Sequence, residues 1–227
     1  MSIGTLNEGP LHQALKAVYD TDGAEAEVPI GSYVADLRHP DDVLYEIQTA
    51  GFGQMRRKLE ALLPEHRVVL VHPIAGIKHI VKLPVDADGA ESRRRSPKRG
   101  RIAHVVGELV SIPHLLDHPN FELEVVLTEE EEVRRFEPDR AWRRKGWVVV
   151  QRRLCQVLTR VRIRSAADLL TLLQRPLPEQ FTTRELADAL DEPRWVAQKL
   201  AYCLRQAGAI EVCGKQGNAL SYRVPPG

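Results

Sequence analysis

Between residues 9 and 83 the spacing of apolar residues changes from helical to alternating and back, which restricts the chain to an α/β architecture. Leu11, Leu15 and Val18 recur at helical spacing over residues 9–20, and Asp22-Gly23 ends that helix. Short strands are expected over Glu27–Ile30, Tyr33–Arg38 and Val43–Thr49, with turns at Gly31-Ser32 and around Pro40. Gly51-Phe52-Gly53 opens a helix to about Leu63, and strands follow over Arg67–Val71 and Lys78–Leu83.

Asp86 to Gly100 reads as an exposed polar connection. A helix interrupted near Pro113 is expected over Ile102–Leu116, and strands over Phe121–Leu127 and Trp147–Leu154. From about residue 165 the character changes. Ala166–Gln174 reads as a short apolar helix, and Thr182 with Glu185 marks the start of another. Pro193 opens a third helix in its permitted first turn, running to about Gln206, and Gly208 caps it. A hairpin follows, Ala209–Cys213 and Ala219–Val224 around Gly214-Lys215-Gln216-Gly217-Asn218.

Composition and charge exclude several classes. Hydrophobic residues make up 43% and charged residues 28% of 227, an ordinary globular balance that excludes wholesale disorder. No apolar run approaches the length of a spanning helix, so no membrane association is expected. The start of the chain lacks a basic stretch followed by an apolar core, and no signal peptide is expected. Cys155, Cys203 and Cys213 are odd in number and form no C-x-x-C, which suits reduced thiols in a cytoplasmic protein. There is no G-x-S-x-G, P-loop or G-x-G-x-x-G. Net charge is +1, unevenly spread. Residues 1–90 carry 8 Lys and Arg against 13 acids, whereas residues 91–180 carry 18 against 13. Arg93–Arg101 and the aromatic-flanked segment 142–147 are basic blocks suited to a phosphate backbone, and Glu129–Glu132 is an acidic run.

Strand alternation puts Glu46 and Gln48 on one face, with Val43, Tyr45 and Ile47 on the other. If this strand pairs antiparallel with Tyr33–Arg38 through the turn at Pro40, Asp36 approaches Glu46. Two carboxylates so placed repel each other and lose solvation, which a hard divalent cation resolves. His12 and Lys16 share a helix face; they read first as surface residues and second as groups that reach a phosphate near such a site. His114, Asp117 and His118 form a weaker metal candidate without further ligands at zinc spacing.

Asp36, nine residues, then Glu46-Ile47-Gln48 and a helix resembles the PD-(D/E)xK nuclease superfamily, the restriction-endonuclease-like fold, over roughly residues 9–83. The resemblance implies that Asp36 and Glu46 bind Mg²⁺ or Mn²⁺. In that family a lysine two residues after the glutamate orients the attacking water. Gln48 stands there in this chain, and Ala35 stands where the family pattern has proline. Glutamine can still hold a water, and in some members the lysine comes from the following helix. With Met55, Leu59, Leu62 and Leu63 on the core face, Lys58 and Arg56 fall at its edges, so Lys58 is the first candidate and Arg56 the second.

Residues 165–225 resemble winged helix-turn-helix DNA-binding domains in element order and spacing. Setting Val196, Leu200, Cys203, Leu204 and Ala207 toward the core leaves Arg194, Gln198, Ala201 and Arg205 on the opposite face. Lys215, Gln216 and Asn218 occupy the hairpin tip. The two resemblances imply an α/β chain with a restriction-endonuclease-like mixed-sheet core in residues 1–164 and a C-terminal winged-helix domain in 165–227. Within the first part, the core covers about 9–83 and an extension 84–164. The implied activity is Mg²⁺-dependent hydrolysis of DNA phosphodiesters. Asp36, Glu46, Gln48 and Lys58 would be catalytic, and Arg56, Arg94, Arg95, Lys98 and Arg99 would hold the backbone. A homodimer is among the expected states, since nucleases of this fold often act as dimers. Two alternatives stay open: a non-catalytic DNA-binding or regulatory protein on a degenerate nuclease fold, and an interaction module whose winged helix meets a partner protein.

Overall fold

The computed structural model describes residues 9–86 and 89–225. Helix α1 (Pro10–Tyr19) starts at a proline, which lacks only an N–H that the first turn leaves unbonded anyway. Three strands follow, β1 (Glu25–Ile30), β2 (Tyr33–Arg38) and β3 (Leu44–Ile47), then α2 (Phe52–Leu62) and the long β4 (Val68–Lys82). Next come β5 (Ser92–Arg95), α3 (Val106–Leu109) between two 3₁₀ turns, β6 (Phe121–Phe136) and β7 (Trp147–Ile163). The last part holds α4 (Ala166–Leu170), β8 (Phe181–Thr182), α5 (Thr183–Leu190), α6 (Arg194–Gln206), β9 (Glu211–Gln216) and β10 (Ala219–Arg223). Among the described residues a large mixed sheet runs β1-β2-β3-β4-β6-β7, with β5 on β4, and a small sheet runs β8-β10-β9.

The chain divides into two compact units built from interleaved segments. One comprises residues 1–49, 73–101 and 126–160, and the other 50–72, 102–125 and 161–227. The segment 165–227 falls wholly within the second. In the first unit, Leu11, Leu15 and Tyr19 form the buried stripe of α1, and Ala35, Leu37, Leu44 and Ile47 are buried on the strands. In the second, Phe52 is fully buried and sets its ring edge-on to His72, with centroids 4.9 Å apart. Gly51 precedes α2 at φ +75°, where a side chain would strain the backbone. No side chain of its own caps that helix. Instead Glu108 accepts the Gly51 and Phe52 amides at 2.8 and 3.3 Å.

Several expected boundaries are corrected. The strands expected at 67–71 and 78–83 are one strand, β4. Gly76 does not turn the chain there. A Cβ on it would sit 3.3 Å from Leu158, so glycine permits close packing of β7. The polar connection 86–100 contains β5, which pairs antiparallel with β4, Arg94 opposite Ile80 and Arg95 opposite His79. The helix expected over 102–116 is cut short because Ile112, ahead of Pro113, leaves helical geometry at φ −139°.

The strands expected to stop at 127 and 154 reach 136 and 163, so the acidic run lies inside β6. Each of its carboxylates has a partner there. Glu129 lies 2.7 Å from His79, Glu130 accepts from Thr128 at 2.6 Å, Glu131 from Arg93 at 2.8 Å, and Glu132 from Arg134. The imidazole against Glu129, aided by Gln156, holds its carboxyl below the usual range.

In the last segment Thr182 and Glu185 form the reciprocal cap expected from their spacing. Glu185 accepts the Thr182 amide at 2.6 Å, and the Thr182 hydroxyl accepts the Arg184 amide at 3.3 Å. Pro193 sits one residue earlier than expected, as the cap of α6. Thr182→Ala is expected to cost about 1 kcal/mol, read as a lower urea midpoint at unchanged slope, while Thr182→Ser stays near wild type.

Candidate functional site

The register of the first three strands builds an acidic row. β1 pairs Ala26 with Leu37 and Val28 with Ala35, so Glu27 falls opposite Asp36. On the other side β2 pairs Leu37 with Tyr45, and continuing that register brings Glu46 opposite Asp36. Glu27, Asp36 and Glu46 therefore lie side by side across three strands. The ladder between β2 and β3 stops at this point, because the Ile47 amide donates to the Asp36 carboxylate at 2.7 Å instead of to backbone. For that reason Gln48, expected on the strand face beside Glu46, lies just beyond the end of β3.

Helix α1 sets an imidazole and an ammonium against this row. His12 Nε2 is 3.3 Å from Asp36 Oδ2, and one turn on Lys16 pairs with Glu27. Glu27 holds φ +55° in the middle of β1, a left-handed geometry that costs a non-glycine residue about 1–3 kcal/mol and clusters at functional sites. Glu46 is only 1% exposed. A carboxylate at that depth needs cations or hydrogen-bond donors around it. Two carboxylates at opposed positions of neighbouring strands are of the donor type that Mg²⁺ accepts, completed by water or phosphate oxygens. Among the described residues no three His, Cys, Asp or Glu side chains are placed to hold one ion.

Next to the row is a cavity of about 270 Å³ whose lining includes Leu11, His12, Thr49, Val150, Gln151 and Arg152. His12 thus borders the cavity and touches Asp36. Arg152 belongs to β7, more than a hundred residues away in sequence, and nothing local marked it. His12 and Lys16 were legible as a helix face, and the strand register supplies what that face meets.

The other expected residues are distributed as follows. Lys58 and Arg56 belong to α2 in the second unit, whereas Asp36, Glu46 and Gln48 belong to the first. Arg56 pairs with Glu60 at 2.8 Å. Arg94, Arg95, Lys98 and Arg99 are exposed, while the neighbouring Arg93 is engaged by Glu131. His114, Asp117 and His118 go separate ways. His114 meets Glu60, Asp117 accepts the Ala166 amide, and His118 accepts the Asn120 amide. Neither Cys155 nor Cys203 is primed for attack. Burial pushes Cys203 up to about 12, and burial with Glu131 and Glu129 nearby raises Cys155.

In the second unit, α6 buries Val196, Ala197, Leu200, Ala201, Cys203 and Leu204. Ala201 was expected on the outer face and is corrected to the core, where α6 is covered over a wider arc than one stripe. Tyr202 takes the outer place, giving an exposed line of Arg194, Gln198, Tyr202 and Arg205. A cavity of about 430 Å³ beside the start of α6 is lined by Arg184, Arg194 and Gln216 among others. Lys215 and Gln216, expected in the turn, are instead exposed residues of β9, paired with Leu220 and Ala219, and Lys215 borders a smaller cavity of about 280 Å³.

These features describe an α/β protein built on a large mixed sheet, with an acidic row under a basic helix face. The chain belongs to the family described as Domain of unknown function (DUF8091), which it matches over residues 9–164. It is also similar to an uncharacterized protein of Treponema pallidum (strain Nichols), 32% identical over 229 residues, covering 100% of this chain and 90% of the relative. No solved structure matches the chain. Among the described residues no helix is long and apolar enough to cross a membrane.

Proposed function

We propose that the protein is a metal-dependent nuclease acting on DNA, with a restriction-endonuclease-like core and a winged helix in residues 165–227. The observation that carries this reading is the juxtaposition of Asp36 and Glu46 on neighbouring strands, with His12 and Lys16 of α1 over the same row. Mg²⁺ or Mn²⁺ held by the two carboxylates would acidify a bound water and stabilise charge at the phosphorus. His12 and the Ile47 amide fix the Asp36 carboxylate. Gln48, one residue beyond the end of β3, and Lys16, on the α1 face beside Glu27, are the candidates in the same unit for orienting water. Lys58 is retained as the candidate that the family resemblance implies. Water adds to phosphorus as the ester oxygen leaves, so the products are an alcohol and a phosphate monoester.

The test is incubation of the purified chain with supercoiled plasmid and with linear and branched DNA, in Mg²⁺, Mn²⁺ or EDTA. Cleavage confined to the metal-containing reactions supports the proposal. Intact DNA on every substrate overturns it.

A second reading is DNA binding without cleavage, favoured by the exposed line on α6. Arginine and glutamine in such a line have base-edge and phosphate partners. Arg194→Ala with Arg205→Ala is expected to weaken duplex binding by about tenfold or more near 0.1 M salt. The same pair of changes should flatten the slope of log affinity against log salt by about 2. An unchanged affinity and slope would shift the reading of this face to a protein partner.

A further inference from the structure

The cavity bordered by His12 and Arg152 has no part in metal binding, yet it adjoins the acidic row. Its size, about 270 Å³, is near the lower end for small-molecule pockets, room for one nucleotide and not for a duplex. Its walls divide by chemistry. Pro10, Leu11 and Val150 offer apolar surface to a base or sugar, and Arg152, Gln151, Thr49 and His12 offer donors. The adjoining row sets Glu27, Asp36 and Glu46 against Lys16 and His12, and Arg152, an exposed residue of the lining, adds a guanidinium that can reach a phosphate there.

We propose that this cavity binds a single nucleotide unit, its phosphate on Arg152 and its base or sugar against Leu11 and Val150. The role of that unit as part of a substrate strand rests on the nuclease reading, but its binding can be measured without cleavage. Because His12 both borders the cavity and contacts Asp36, the occupant lies one side chain from the candidate metal ligands. The substrate class that follows is a strand whose end or unpaired nucleotide can enter a pocket.

The experiment titrates the full chain with thymidine 5′-monophosphate, thymidine and inorganic phosphate in EDTA, followed by calorimetry or amide NMR shifts. Saturable binding of the nucleotide is expected, weakened about tenfold by Arg152→Gln and lost with Val150→Asp. Both pocket substitutions are on an exposed part of β7, and unchanged thermal midpoints will separate binding from folding. No saturable binding by the unaltered chain, or equal binding by Arg152→Gln, overturns the proposal. Thymidine binding as tightly as the nucleotide overturns the phosphate contact, and inorganic phosphate doing so overturns the nucleotide unit. Nucleotide binding in a chain that never cleaves DNA would sink the nuclease reading and leave the pocket standing.

Discussion

Plasmid cleavage in Mg²⁺ is expected to fall by about 10³-fold or more when Asp36 and Glu46 are both replaced by alanine. A metal contributes several kcal/mol to a phosphoryl transition state, and each 1.4 kcal/mol is about a factor of ten. The two residues also serve the fold, since Asp36 accepts the Ile47 amide where the strand ladder ends. Asp36→Asn with Glu46→Gln separates the two roles. Asparagine still offers a carbonyl oxygen to that amide, but neither amide side chain binds a divalent cation well. Near-native thermal midpoint with cleavage lost assigns the carboxylates to the metal. Cleavage at the unaltered rate by the amide variant would remove them from the active site.

Phe52→Ala is expected to lower stability by about 3–5 kcal/mol, the range for deleting a buried aromatic ring. Phe52 is fully buried at the start of α2 and packs its edge on His72. Its backbone amide meets Glu108 and is untouched by the substitution. The loss therefore reports packing alone, read in guanidinium unfolding as a lower midpoint. A change below 1 kcal/mol would mean that the site collapses around the missing ring.

What the sequence revealed and what it hid divide along a physical line. Local chemistry was legible: the Pro10 start of α1, the Thr182–Glu185 cap and the hairpin around Gly217 depend on neighbours a few residues apart. Strand length was not. Glu129–Glu132 looks like a solvated break until His79, Arg93 and Arg134 are seen beside it, and those partners are set by strand pairing across the sheet. Gly76 carries no local sign of its role, because the Leu158 side chain packed against it is distant in sequence. The candidate site follows the same rule. Alternation suggested that Asp36 meets Glu46, while Glu27 and Arg152 join the neighbourhood through register and cavity shape, which no local pattern encodes.

The interleaved units set a condition on how the chain comes off the ribosome. The first unit draws on residues as late as 160 and the second on residues to the end, and the backbone passes between them at 49–50, 72–73, 101–102, 125–126 and 160–161. A nascent chain that has reached residue 100 holds α1 through β5 but lacks β6 and β7. At about 5–20 residues per second, the early strands wait several seconds or more for their partners. Any fragment ending between 50 and 150 carries unpaired strand edges from the same sheet. Truncations in that window should emerge as aggregates, and a protease acting on the growing chain would find β1–β4 before the acidic row has its finished surroundings.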